Sequence, residues 1–341
     1  MNQALVLDVK GLRTEFSSAH GPVRAVQDVS FAVRRGEKVA IVGESGSGKT
    51  ALALSILGLL PYPGQVVGGE VVLNGRDLRQ LSERQLEKVR GREIAVVYQD
   101  PMSSLDPLRT IGQQIAEAVR WHHPDVDRIG ARRRALELLR EVEIASPATR
   151  LDDYPHRYSG GMRQRVMIAI ALANEPDVII ADEPTTALDV TTQAAVLDVF
   201  ERLVERRRTA VILITHNLAV VAGFCDTANV MYAGQFVESA AVGDLFARPA
   251  HPYTQGLLRA VPRPDRLAER RLASIPGEPP NLARLPSGCA FAPRCELGAG
   301  QSVCVSTPPP RVAIDRDGRR TLAACHFALE PPKVPEMAWL P

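Results

Sequence analysis

Short apolar runs alternate with longer segments of helical periodicity along most of this chain. "KVAIVG" precedes "KTALALSILGLL", "DVIIAD" precedes "TTQAAVLDVFERLVERR", and "AVILIT" precedes "NLAVVAGF". The alternation predicts an α/β fold around a mixed, largely parallel sheet. An early β-rich stretch, Leu5 to Phe31, and a helical insert, about Ser104 to Ser159, flank that core. The insert carries "TIGQQIAEAVRW" and "RRRALELLREV", each with apolar residues near helical spacing.

The pattern breaks after Val261. Helical periodicity disappears, and 14 of the 26 prolines fall in residues 261–341. This predicts a separate, loop-rich appendage that cannot build an apolar core of its own. It is then either disordered or organised by something other than hydrophobic burial.

Composition narrows the function. A chain of 341 residues can bury a sizeable core without staples. Lys and Arg number 41 against 39 Asp and Glu, so no long-range field advertises a polyanion partner. The runs Arg132-Arg133-Arg134 and Arg206-Arg207-Arg208 read as solvated helix faces rather than nucleic-acid patches. The N-terminus lacks the layout of a signal peptide, and no apolar run approaches the roughly 18 residues of a membrane span. The expectation is a soluble, cytosolic chain, in which clustered cysteines are metal ligands or redox groups rather than disulfides.

Candidate chemistry begins at "GESGSGKT", Gly43 to Thr50, which fits G-x-x-x-x-G-K-[ST] between a predicted strand and a predicted helix. In such a loop Gly43, Glu44, Ser45, Gly46, Ser47 and Gly48 turn backbone N–H groups onto phosphate oxygens, and the helix N-terminus adds partial positive charge. Lys49 is expected to reach the β- and γ-phosphates, and Thr50 to hold Mg²⁺ through its hydroxyl. A second element, "VIIADEP", ends an apolar strand in two carboxylates. Asp182 is expected to support Mg²⁺ through water and Glu183 to orient and deprotonate the attacking water.

Between these elements stands "YSGGMRQR", Tyr158 to Arg165. A phosphate loop, a Ser-Gly-Gly segment and an acidic strand end in this order resemble the ABC-transporter ATPases over nearly the whole chain. The resemblance implies a P-loop ATPase core with a β-rich subdomain, a helical subdomain at about 104–172, and a cysteine-containing extension, 261–341, after a nucleotide-binding domain of residues 1–260. It implies that Ser159, Gly160 and Gly161 clamp ATP bound to an opposing subunit, and that Phe16 stacks on adenine, a core strand Phe being the competing reading. Gln99 in "VYQDP" matches the position that contacts Mg²⁺ and the attacking water. Asp189 in "TTALD" matches the loop that communicates across the cassette dimer, and His216 in "ILITHN" the residue that contacts the γ-phosphate.

The segments "SGGMRQR", "DEPTTALDVT" and "HPYTQGLL" resemble the branch that imports dipeptides and oligopeptides, with nickel importers close by. The implied partners are two transmembrane permease subunits, a second ATPase subunit that is a paralogue or a second copy, and an extracytoplasmic peptide-binding protein, but no nucleic acid. The implied location is the cytoplasmic face of the cell membrane, and the implied reaction is ATP hydrolysis coupled to peptide translocation. A soluble ABC ATPase acting on nucleic acid or ribosomes, an export ATPase, and a redox or metal-storage role for the tail are the rivals.

Four of the five cysteines, Cys289, Cys295, Cys304 and Cys325, lie in the tail with a C-x5-C-x8-C-x20-C spacing. Neither zinc knuckles nor bacterial ferredoxins use that spacing, which by itself leaves the metal open. The resemblance implies a [4Fe-4S] cluster, with zinc as the alternative. His326 reads as a neighbour rather than a ligand.

Overall fold

The computed structural model describes residues 4–19, 21–186, 188–261 and 274–328. Ala187 of "TTALD" and the flanks of the extension, 262–273 and 329–341, lie outside the described residues. The strands are β1 (Leu5–Phe16), β2 (Val23–Arg34), β3 (Lys38–Val42), β4 (Gly64–Leu73), β5 (Arg76–Asp77) and β6 (Ile94–Val97). They continue with β7 (Val178–Asp182), β8 (Ala210–Thr215), β9 (Thr227–Tyr232), β10 (Gln235–Ala241), β11 (Arg311–Arg316) and β12 (Arg319–Ala324). The chain divides into two compact units. One comprises Met1–Asp8, Ala32–Glu37 and Val72–Leu213; the other comprises Val9–Phe31, Lys38–Val71 and Ile214–Pro341.

In the first unit β8, β7 and β6 are neighbours in that order, and β6 pairs parallel with β7 from Ile94↔Val178 to Val97↔Ala181. All five residues of β7 are buried, as the apolar run "VIIAD" requires of a central strand. Four segments of the expected helical subdomain, about 104–172, are helical: Ile111–His122, Arg128–Glu141, Pro147–Arg150 and Gly160–Ala171. Thr110 opens the first of these with a reciprocal capping box to Gln113, and Asp127 caps the second by accepting from the Gly130 N–H. Three arginines of the basic runs are paired within the unit: Arg132 with Asp152, Arg134 with Glu141 and Glu175, and Arg207 with Glu141.

In the second unit the order is β11-β12-β10-β9-β3, with β3 and β9 parallel and the rest antiparallel. The tail therefore departs from the expectation of a segment that hydrophobic burial cannot organise. Its hairpin β11–β12 adds to β10 through Glu238↔Ala323 and Ser239↔Leu322. Asp317 and Gly318 make its turn with φ of 54° and 74°, the pair of positive values that a two-residue hairpin turn demands. Ile314, Ala323 and Ala328 pack with Ala250 in a small apolar cluster. Phe291 enters the main core of the unit beside Tyr232 and Tyr253. The described part of the extension thus packs onto apolar residues of the preceding strands and loops.

Candidate active site

The phosphate loop leaves β3 at Val42 and enters the helix Lys49–Leu57. Gly48 is the hinge, with φ of 106°, and a Cβ there would lie 2.2 Å from the Ala25 carbonyl oxygen. Both the conformation and the space exclude a side chain. Lys49 is buried, and its Nζ donates to the carbonyls of Gly43 (2.8 Å) and Glu44 (2.9 Å). The ammonium is thus held by its own loop. Ser47 Oγ is buried and finds no protein partner, a hydroxyl left for an incoming polar ligand. Ser45, Gly46 and Thr50 are exposed. Phe16, at the end of β1, is half-buried with its ring against the backbone of Gly64. His216, which follows β8, is exposed.

The residues that contact the loop from behind were not legible in the motif. The Glu44 N–H donates to Tyr253 Oη at 2.8 Å. Tyr253 belongs to "HPYTQGLL", whose helix Pro252–Arg259 begins with Pro at its first position and His251 as its cap. His251 Nδ1 accepts from the Tyr253 N–H, and the buried Glu238 carboxylate accepts from the N–H groups of Ala250 and His251. Burial drives the His251 pKa down to about 3, so the ring is neutral and its second nitrogen serves a backbone hydrogen bond to Ala324. Each residue of His-Pro-Tyr has a separate task, and the tyrosine ends on the phosphate loop.

In the other unit, Asp182 closes β7 and is buried, while Glu183 follows with φ of 47°. A positive φ at a non-glycine residue is a strained geometry that the surrounding turn must impose. It presents the carboxylate to two donors, Gln99 Nε2 (3.1 Å) and Thr186 Oγ1 (3.0 Å), both on Oε2. The sequence-predicted pair Gln99 and Glu183 is therefore in direct contact. Ser159 caps the helix Gly160–Ala171 by accepting from the Met162 N–H. At Gly161 a Cβ would meet Thr192 Cγ2 at 2.4 Å, so that glycine is required by helix packing, whereas Gly160 is exposed. Tyr158 is a core residue: it is buried, donates to the Arg150 carbonyl, and has its pKa pushed up to about 12 by burial. Asp189 is exposed and caps the helix Val190–Arg207 through the Thr192 N–H, which holds its carboxyl below the usual range.

The four tail cysteines line one small cavity of about 10 Å³, which His251 and Phe291 also border. The Cys289 N–H donates to the Cys304 carbonyl, tying Cys289 to the short helix Ser302–Ser306. Burial, reinforced by the neighbouring thiols, pushes Cys325 up to about 11 and raises Cys289 and Cys304. Among the described residues no three His, Cys, Asp or Glu side chains are gathered for a single metal ion. A zinc ion with Zn–S bonds of about 2.3 Å would need the sulfurs within roughly 4 Å of one another. The donor set is thus soft and convergent, but it is not preformed for one small ion. His326 bonds the Thr307 carbonyl through Nε2.

Residues 26–186 match the model of the ABC transporter family, and residues 237–304 match the oligopeptide/dipeptide transporter C-terminal region. The oligopeptide transport ATP-binding protein OppD of Escherichia coli is 47% identical over 304 residues, 89% of either chain. This chain belongs to the oligopeptide/dipeptide family of ABC transporter ATP-binding proteins. A second family member, the dipeptide transport ATP-binding protein DppD of E. coli, is 45% identical over 95% of this chain and 97% of its own. Among solved structures, the dimeric ATP-binding cassette MJ0796 bound to ADP and Pi aligns with a TM-score of 0.62. It is 28% identical and covers 69% of this chain and 98% of its own. Of the tail cysteines, the matched C-terminal region contains Cys289, Cys295 and Cys304 and stops before Cys325. Among the described residues, no helix of this ATP-binding subunit is long and apolar enough to cross a membrane.

Proposed function

We propose that this ABC ATPase energises the import of dipeptides and oligopeptides. The observation that carries the reading is that one chain joins the phosphate loop to the C-terminal region of peptide transporters, with Tyr253 of that region bonded to the loop itself. ATP draws Lys49 off the carbonyls of Gly43 and Glu44 onto its β- and γ-phosphates, and Ser47 Oγ gains the partner it lacks. Thr50, Gln99 and Asp182, the last through water, would hold Mg²⁺, which neutralises phosphate charge when bound. Glu183, with Gln99 on its carboxylate, orients the attacking water and takes its proton. His216 serves the γ-phosphate and Phe16 the adenine. Ser159, Gly160, Gly161 and Asp189 act across a pair of cassettes, so a second ATPase subunit completes each site.

In this reading two permease subunits carry out translocation, with this chain at the cytoplasmic face of the membrane; the likeness to peptide-transport ATP-binding proteins supports it. An extracytoplasmic binding protein delivers the peptide. In a strain lacking this chain, the wild type is expected to restore uptake of labelled di- and tetrapeptides. Restoration of nickel uptake alone would transfer the assignment to nickel, and restoration of neither would overturn import.

The same reading assigns Cys289, Cys295, Cys304 and Cys325 an iron–sulfur cluster. Four thiols converging on one cavity support it, and a cluster spreads its thiolates farther than one ion can. Metal binding displaces the thiol protons that burial now retains. Anaerobically purified wild type is expected to show cluster absorption with bound iron and sulfide. Cys289→Ser is expected to lose both, and its extension to become protease-sensitive before the cassette does. Zinc without iron would replace the cluster by the alternative metal; unchanged metal content and proteolysis in the variant would remove the four-thiolate site.

A further inference from the structure

The phosphate loop contains an acidic residue where a triphosphate must bind. Glu44 is the second residue of "GESGSGKT", and a bare carboxylate there would repel the ligand for which the loop exists. The structure supplies its partner from the tail. Arg294 Nη1 donates to Glu44 Oε2 at 2.7 Å and Nη2 donates to Oε1 at 3.0 Å, a two-pronged pair. The arginine is fixed on its other sides too: Nε donates to the Pro276 carbonyl at 2.9 Å, and the guanidinium lies 5.9 Å from the centroid of the Tyr232 ring. Its side chain is 4% exposed against 27% for that of Glu44, so the pair is shielded from screening by salt. Arg294 ends the 3₁₀ turn Ala292–Arg294, after the buried Phe291 and directly before Cys295.

We propose that Arg294 is a positioning residue for nucleotide binding, which neutralises Glu44 and holds the phosphate loop open to a triphosphate. The inference rests on the assignment of that loop to ATP. It gives the cysteine-bearing turn a task at the ATP site: it carries the counter-charge. Lysine does not substitute, because a point charge cannot reproduce the planar fork on both carboxylate oxygens.

The test is MgATP affinity measured with a fluorescent analogue on the full chain, with the thermal midpoint measured alongside. Arg294→Ala is expected to bind about tenfold more weakly, the scale of an uncompensated like charge beside an anionic ligand. Its deficit shrinks as NaCl rises, because the freed carboxylate becomes screened. Glu44→Gln in the same chain is expected to restore affinity to within about twofold of the wild type, since it removes the charge that Arg294 masks. A purely packing role for Arg294 would instead leave the double variant as weak as Arg294→Ala, and that result overturns the proposal. Affinity unchanged in Arg294→Ala overturns it as well. Should Arg294→Ala fail to fold, Arg294→Gln, which removes the charge but keeps a long polar side chain, gives the same comparison with and without Glu44→Gln. Lys49→Ala separates the two levels: if it loses nucleotide while Arg294→Ala keeps it, only this inference fails. If Lys49→Ala keeps nucleotide, the phosphate-loop assignment fails.

Discussion

Glu183→Gln is expected to bind MgATP like the wild type and to lower turnover by about 10²- to 10⁴-fold, the usual worth of a positioned general base. The substitution nearly preserves shape. Gln99 Nε2 and Thr186 Oγ1 both donate to the same carboxylate oxygen, and the amide oxygen of a glutamine can accept both. The strained backbone at φ 47° is set by the turn rather than by the side chain, so the amide takes the place of the acid. What is lost is basicity. Nucleotide then stays trapped and the paired cassette accumulates closed, visible as an ATP-dependent dimer in size-exclusion chromatography. Turnover within a few-fold of the wild type would remove Glu183 from its role and leave Asp182 or solvent as the proton acceptor.

Lys49→Ala is expected to weaken MgATP binding by about 10- to 100-fold, from the roughly 1.5–3 kcal/mol of a charge-assisted hydrogen bond. Two opposing terms set the size. The buried ammonium already has two carbonyl acceptors within the loop, so the nucleotide gains only the difference between phosphate and carbonyl partners. Phosphate oxygens carry formal charge and the carbonyls do not, which decides the sign. Lys49→Met keeps the aliphatic stem and separates packing from charge. Calorimetric affinity equal to the wild type in both variants would mean that the loop does not bind the triphosphate through Lys49.

The parts of the site that were legible in the sequence are local. "GESGSGKT" follows an apolar strand and opens a helix, and the structure builds that order from β3 to Lys49. "VIIADEP" is a buried strand ending in two acids, and β7 has that form. Glycines whose task is steric were legible only as motif letters: Gly161 is needed for the approach of Thr192, a contact 31 positions away along the chain. The hairpin of the tail was within reach, since Asp317-Gly318 between "RVAIDR" and "RRTLAA" is a turn signal flanked by alternating residues. The proline content of the surrounding segment obscured it. The expectation that burial could not organise this region considered only the tail's own residues, whereas Phe291 and Ile314 pack on residues of the preceding strands and loops.

By itself the sequence determined the order of elements, the residues of the phosphate loop and acidic strand end, and membership in a family. Each is written in neighbouring residues through backbone preference and periodicity. Only the tertiary structure decided what stands behind the loop. Tyr253 and Arg294, 209 and 250 positions from Glu44, meet it because β9 and β10 carry the chain back beside β3 and Phe291 anchors the cysteine-bearing turn in the core. No local pattern encodes such a pair, since its partners share no periodicity and no linker length. It exists because burying an apolar core brings two distant, oppositely charged side chains to the same place, where neither could remain alone at low cost.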